Sequence, residues 1–387
     1  MTHSPWQRPL GPFDVAIVGG GVIGASTAYA LAHMRPALRV AIVEAERVAY
    51  GASGRNAGFV MPGSSHDPTA AREEYGDERA RRLLRFTLET ADRVAALART
   101  VPIEYIATGH RLAAGAPGEA SRLRASVDIL LAEGVPARLF EGEEANRHAG
   151  SDGFEALLEY DAGGTVHSAK LVRALVGFAG ADLLERWPVT GLESAGNHVV
   201  LSGPGGARIE AGRVLLAVNA YLPRLLPALA EVVRPVRAQM LITEPLAPAL
   251  DRPVYSHEGF FYIRQRADGR VMLGGARHLH EADEVGYEDA TTDAVQESLE
   301  VHLCRHFPRL AGAGVARRWS GTMGFSPDGL PVVGDVAGVA GALFAAGFTG
   351  HGMGYSMRFG EMLARRLTGE TDEADDLFDA GRFARVG

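Results

Sequence analysis

The chain has 387 residues, 47% of them apolar and 22% charged, enough for two hydrophobic cores in a soluble globular protein. Its net charge of −8 gives no basic footprint for nucleic acid or an anionic membrane, so neither is an expected partner. The single cysteine, Cys304, excludes an internal disulfide and a cysteine-based metal cage, and no metal is expected.

Residues 1–12 are polar and proline-bearing, without the charged start and apolar core of a signal peptide. No run of about eighteen apolar residues follows, so the expectation is a cytoplasmic protein with no membrane span and a loose N-terminus. Phe13-Asp14-Val15-Ala16-Ile17-Val18 reads as a buried strand running into Gly19-Gly20-Gly21-Val22-Ile23-Gly24. This is G-x-G-x-x-G in a strand-to-helix setting. The first glycine allows the tight turn, the second lets backbone approach a pyrophosphate, and the third lets the helix pack on the strand. A helix over residues 25–33 and a strand over 38–43 follow, ending on Glu44 and Ala45, with Glu44 twenty residues after Gly24. A carboxylate there accepts from ribose hydroxyls and repels a 2′-phosphate, so the ligand is an adenine dinucleotide, FAD or NAD, and not NADP.

Residues 78–100 form a helix with Leu84, Leu88, Ala91 and Ala95 on one face, and Leu123, Val127, Leu130 and Leu131 mark another that ends at Gly134. Between 189 and 217 short apolar runs separated by Gly-Asn, Gly-Pro-Gly-Gly and Ala-Gly signal strands and tight turns. Residues 214–220 read as a buried strand meeting a small-residue turn. Strand-like alternation covers 232–244, 259–266 and 270–277, with Ala267-Asp268-Gly269 as a hairpin turn. Val295, Leu299 and Leu303 give a helix capped near 291–293.

The C-terminal region chooses between the two dinucleotides. Ala345-Ala346-Gly347-Phe348-Thr349-Gly350-His351-Gly352-Met353-Gly354 is a second glycine-rich strand-to-helix turn, and residues 353–367 are helical in pattern. NAD needs no such turn. A reduced flavin does, because it carries negative charge that a helix N-terminus stabilises.

With these residues the chain resembles the D-amino acid oxidase superfamily of FAD-dependent oxidoreductases, in its glycine oxidase, sarcosine oxidase and gamma-glutamylputrescine oxidase branch. The resemblance runs over residues 14–369. It is carried by residues 14–24, Gly51-Ala52-Ser53-Gly54-Arg55-Asn56-Ala57-Gly58, Arg234-Pro235-Val236-Arg237-Ala238-Gln239, Tyr262-Ile263-Arg264-Gln265 with Asp268-Gly269-Arg270, Trp319-Ser320-Gly321 with Pro327-Asp328-Gly329-Leu330-Pro331, and 347–354. It implies an α/β fold in which a Rossmann-like FAD-binding domain (13–77, 150–225 and 325–369) is interleaved with an antiparallel-sheet α+β substrate domain (78–149 and 226–324), flanked by tails at 1–12 and 370–387. It also implies that Ser53, Arg55, Asn56 and Ala57 run past the pyrophosphate and ribityl chain, that Val189 and Ala217 meet the adenosine, and that Gly347, Gly350, His351, Gly352 and Met353 lie beneath the flavin.

Departures from the relatives shape the remaining expectations. Sarcosine oxidase tethers its flavin to a cysteine where this chain has Gly321, and Cys304 reads as an ordinary buried thiol, so FAD is expected to be noncovalent. Sarcosine oxidase has an oxygen-activating lysine where Met272 stands, so no fixed positive charge is expected there. Glycine oxidase grips its substrate carboxylate with an arginine where this chain has Met323. Arg264 then becomes the candidate carboxylate grip and Tyr262 the orienting tyrosine, with Met61, Met272 and Met323 as a candidate apolar pocket and His351 as a ring contact or helix cap. His66, His278 and His280 read as surface or loop residues.

The expected reaction is oxidation of the C–N bond of an amino acid or small amine, by hydride transfer to flavin N5, followed by imine hydrolysis and reoxidation by oxygen. The alternatives are a D-amino acid or proline-type dehydrogenase using an electron carrier, or an FAD-carrying subunit of a heteromeric oxidase; a homo-oligomer is also compatible with the sequence. Action on an aminomethyl group of tRNA is a weaker reading, opposed by the acidic balance.

Overall fold

Strands that carry Val, Ile, Leu and Ala at every position, instead of alternating with polar residues, bury both faces, and here they assemble into a parallel sheet. The computed structural model describes residues 11–383. Its first sheet runs in the order Val332–Asp335, Ala342–Ala346, Arg208–Leu216, Phe13–Val18, Val40–Val43, Asp182–Leu184. The four neighbouring pairs from Ala342–Ala346 to Asp182–Leu184 are parallel, and Val332–Asp335 closes the edge antiparallel. The helices α1 (Val22–Met34), α2 (Asp77–Ala98), α3 (Asp293–His306) and α4 (Gly352–Leu367) organise the rest. Ile17, Ile42 and Leu215 point to the side of α1, α2 and α4, whereas Ala16, Val43 and Leu216 point to the opposite apolar layer.

The second sheet has the order Val315–Phe325, Arg234–Thr243, Val271–Gly275, Phe261–Gln265, Val254–Ser256, His110–Ala113, Ala156–Tyr160, Ala137–Glu141. It is antiparallel except where Val254–Ser256 runs parallel to His110–Ala113. Period-two alternation sends Leu241, Ile263 and Leu273 toward α3, and Met240, Tyr262 and Met272 to the other face, against Ala57, Phe59 and Met61 of the first unit.

Several expectations change. Ala211-Gly212, expected as a turn, lies inside a continuous strand, because Ala211 pairs with Phe13 on one side and Val199 on the other. In α2 the fully buried stripe is Leu83, Phe86, Thr90, Val94 and Leu97 joined by Leu84 and Ala91, while Leu88 and Ala95 are only partly covered. Leu131 is exposed although its helix ends at Gly134 as expected. Thr292 is the N-cap of α3, but its hydroxyl accepts from Gln239 Nε2 instead of capping.

Sheet membership crosses the expected boundaries: Ala156–Tyr160 belongs to the second sheet, and α2 packs on α4 of the first unit, with Thr90 Oγ1 donating to Tyr355 O at 3.0 Å. Residues 370–383 are docked rather than a tail. Asp372 receives both terminal nitrogens of Arg358, and Phe378 is buried among Phe86, Tyr355 and Phe359. The expected loose N-terminus lies almost wholly outside the described residues. No helix among the described residues is long and apolar enough to cross a membrane.

Within the second sheet, Arg237 is buried and bound to the buried carboxylate of Glu284, which also accepts from Gln239 Nε2 at 2.9 Å. Removing the carboxylate leaves the buried guanidinium only the exposed Glu288 and the Asp283 carbonyl, so Glu284→Ala is expected to lower stability by about 3 kcal/mol, read as a drop in the urea midpoint, with Glu284→Gln costing less.

Candidate active site

A cavity of about 630 Å³ lies between the two sheets, within the range of about 300–1,000 Å³ usual for ligand sites. One end is bordered by Glu44, Trp187 and Val189, the middle by the 19–23 and 50–58 loops, and the other end by Tyr255, Tyr262, Arg277 and His351.

The first loop is shaped by close approach. A Cβ at Gly24 would stand 2.1 Å from Gly19 O, so the helix can sit this close to the strand only with glycine there. Gly20 N donates to Glu44 Oε2 at 2.7 Å and Glu46 N to Glu44 Oε1 at 2.9 Å, which fixes the carboxylate at the end of its strand. Ser53 Oγ accepts from Val22 N at 2.8 Å and holds the 50–58 loop against the N-terminus of α1. Ala45, Gly21, Ile23 and Ala57 line the same wall, as do Val189 and Ala217 opposite.

Arg55 and Asn56 reach the cavity already engaged. Arg55 gives Nε to Tyr50 O at 3.0 Å, and its Nη1 serves both Asp289 Oδ1 at 2.6 Å and Ser320 O at 2.9 Å. The paired Asp289 holds its guanidinium pKa above the ordinary value, so this is a neutralised clamp between the two units, not a free cation. Asn56 spends its amide on Ala52 O, Ser53 O and Gly58 N of its own loop.

The second glycine turn opens α4 into the cavity. Gly350 has φ +81°, and Gly350, His351, Gly352 and Met353 line the wall where the first N–H groups of the helix lack intrahelical acceptors. Asn219 Oδ1 accepts from Gly347 N at 3.0 Å, so Gly347 shapes the turn from behind the wall and does not line it. The His351 side chain does not cap the helix; Nδ1 donates to Thr349 O at 3.1 Å. Burial pulls its pKa to about 4, which keeps it neutral at physiological pH.

At the far end the sequence expectations shift. Tyr262 lies where expected, against Gly274, whose added Cβ would fall 2.4 Å from its ring. Tyr255 stands 5.8 Å from it, ring to ring, and Phe59 packs edge-on against both. Met61, Met240 and Met323 line the cavity, but Met272 does not. Arg264, the expected carboxylate grip, is outside the lining: it is buried behind Gly58, its Nη2 donating to Val166 O at 3.3 Å and its Nε unpartnered. The register pairs Arg264 with Met272, and its Nη2 lies 4.0 Å from Met272 Sδ. A fixed positive charge therefore does stand beside Met272, contrary to expectation, with its pKa lowered by burial to about 10.

The arginine that does line this end is Arg277, which the sequence reading left unassigned. It lies over the rings of Phe260 and Phe325 at 4.9 and 5.2 Å, and among the described residues no carboxylate pairs with it. Burial lowers its pKa. Cys304 is exposed on α3, not buried, and no cysteine lines the cavity. His278 stacks on Phe260 and His280 bonds Ser298 Oγ, both away from the lining, and His66 packs near Tyr75.

A glycine-turn dinucleotide cradle joined to a second helix N-terminus and an aromatic end wall defines a flavin-dependent oxidoreductase. The family comparison agrees: residues 14–366 match the DAO family, described as FAD dependent oxidoreductase, and the chain belongs to it. It is 28% identical over 390 residues to the probable oxidoreductase OrdL of Rhizobium meliloti (strain 1021), covering 96% of this chain and 88% of that protein. It is 27% identical over 394 residues to the gamma-glutamylputrescine oxidoreductase of Escherichia coli (strain K12), covering 96% and 89%. Its fold superposes on glycine oxidase from Geobacillus kaustophilus with a TM-score of 0.81 at 24% identity, covering 95% of this chain and 98% of that one.

His351 and the buried His110 both have pKa values pulled to about 4, against about 6.5 in an unfolded chain. Between those values the unfolded state binds more protons, so their contribution is full above pH 6.5 and is lost as pH falls toward 4. Urea midpoints are expected to fall from pH 7.5 to pH 5, with a contribution from this pair of at most about 2.7 kcal/mol per pH unit.

Proposed function

We propose that this chain oxidises the C–N bond of a carboxylate-bearing amine, an amino acid or an N-substituted one, with FAD held noncovalently along the cavity. The observation that carries the substrate class is Arg277: a largely buried guanidinium facing the cavity, with no carboxylate partner among the described residues, is suited to receive one from a ligand. Gly19, Gly21, Val22 and Ile23 would hold the pyrophosphate, Glu44 and Ala45 the ribose, and Val189 and Ala217 the adenine, with Trp187 beside them. Ser53, Arg55, Asn56 and Ala57 would flank the ribityl chain, and Gly350, His351, Gly352 and Met353 the ring system. The fit rests on close approach, because side chains at Gly19 or Gly24 would strike backbone oxygen at 2.6 or 2.1 Å, and on the helix N-termini that suit anionic groups.

Bound there, FAD supplies the two-electron acceptor. The chain's own residues do the rest. Tyr255, Tyr262, Met240 and Met323 enclose the amine in a largely apolar chamber, which favours its neutral form over an ammonium with a pKa of about 10. Neutral His351 lines that chamber without adding charge, its Nδ1 held by Thr349 O. Arg264 and Met272 lie outside this chamber, so neither oxygen nor a carrier is favoured by a charge at that place.

The test is anaerobic bleaching of the purified yellow protein by glycine, sarcosine, D-amino acids, L-proline and N-substituted polyamines, followed by admission of air. Bleaching by at least one is expected, and the speed at which colour returns separates an oxidase from a dehydrogenase; a flavin that none of them reduces overturns the reading. Arg277→Met is expected to raise KM for the carboxylate-bearing substrate by about 10- to 100-fold with little change for simple amines. Arg264→Met, outside the lining, is expected to leave KM and the rate at which colour returns unchanged.

A further inference from the structure

Outside the cavity, on the α3 side of the second sheet, His257, His302 and His306 turn their rings toward one another. A ring nitrogen from each lies within 4.8 Å of the other two. His302 and His306 are one helical turn apart on α3, while His257 comes from the turn after Val254–Ser256. Ring centroids are 5.2 Å apart for His257 to His302, 5.2 Å for His257 to His306 and 4.7 Å for His302 to His306. Three imidazoles on one tetrahedral zinc, at Zn–N of about 2.0–2.1 Å, place their centroids about 5.2 Å apart. Two of the three separations have that spacing and the third is shorter, so closure on an ion needs small movements that draw the donor nitrogens together.

The surroundings hold the rings in this arrangement. His306 Nδ1 lies 2.9 Å from Asp152 O; a carbonyl can only accept, so Nδ1 carries the proton and Nε2 keeps its lone pair. A backbone carbonyl on the second nitrogen is the usual support of a ligating histidine. His302 stacks on Phe261 at 3.8 Å and 3°, and His306 on Phe154 at 4.7 Å and 6°. His257 adopts φ +53°, a conformation that disfavours side chains, and its ring fits only because residue 115 is glycine: a Cβ there would meet the ring at 2.4 Å. Ser256 Oγ, 3.1 Å from His257 Nδ1 and 3.5 Å from His302 Nε2, has one proton to give and cannot donate to both. Below the turn, the buried carboxylate of Glu119 accepts from Gly115 N, Ala116 N and Glu258 N, locking the two loops together.

We infer that His257, His302 and His306 form a binding site for a single zinc-type divalent ion, with water in the fourth position. Imidazole donors suit zinc, and the neutral triad leaves an open coordination place. The ion ties α3 to the 256–258 turn. Since Glu258 and Gly259 line the large cavity, it stiffens the cavity's outer rim from behind.

The holoenzyme, dialysed against a chelator and then passed into metal-free buffer, is titrated with zinc sulfate in competition with a chromophoric zinc chelator of micromolar affinity. One equivalent per chain is expected, with a rise in Tm on zinc addition. His306→Ala is expected to abolish binding, and His257→Gln, at the half-exposed position, to weaken it at least tenfold. His148→Ala, outside the cluster, should bind like the native chain. If His306→Ala does not fold, His257→Gln decides alone. Failure of the native protein to compete for zinc, or equal binding by native protein and His257→Gln, overturns the assignment. Flavin bleaching is a separate readout, so this result stands or falls apart from the proposed reaction.

Discussion

The site depends on how closely α1 and α4 lie against each other and against the sheet. A Cβ at Gly360 would stand 2.5 Å from the backbone of Ser26, and one at Gly354 2.4 Å from Met61 O. Both helices are buried over most of their length, and both begin at the same cavity. Two positive helix ends therefore converge on one volume, where each favours negative charge. An anionic ligand with two separated sites of negative charge matches that field; a neutral ligand would leave it unanswered.

The second sheet supplies the opposite wall, and its period of two sets which side chains reach the cavity. Met240, Tyr262 and Met272 share one face, yet only the first two line the cavity, because the 57–60 segment and Val166 cover the row that holds Met272 and Arg264. That covering turns Arg264 from a solvent-facing grip into a buried cation with weak partners. The cation that lines this end of the cavity is Arg277, just beyond the left-handed residue Ala276 at the end of the neighbouring strand, where its guanidinium lies over the rings of Phe260 and Phe325.

What the sequence disclosed follows the same division. Gly19 to Gly24, Glu44 and the 347–354 turn were legible because local order alone puts strand, turn and helix in register. Arg264 was misread because a strand pattern gives the face of a side chain but not which loop covers that face. Arg277 went unassigned because its partners lie on other strands and its lack of a carboxylate is a property of the folded arrangement. Cys304 was taken as buried from its helical pattern, although Leu303 and Leu299 occupy the inward positions and leave it outside. His302 and His306 show a four-residue spacing, but the third member comes from a turn forty-five residues earlier, which no spacing rule connects.

The three arginines of the cavity illustrate how charge is placed there. Arg55 is neutralised by Asp289, and Arg224, exposed at the rim, lies over the ring of Tyr287 at 4.0 Å where water screens it. Arg277 has neither a carboxylate nor full exposure to water, and a guanidinium so placed lies above its relaxed electrostatic energy until an anion arrives. On the proposed reading, a carboxylate reaching Arg277 would relieve that penalty. One residue would then couple binding and orientation, and the aromatic wall would select the rest of the substrate by shape.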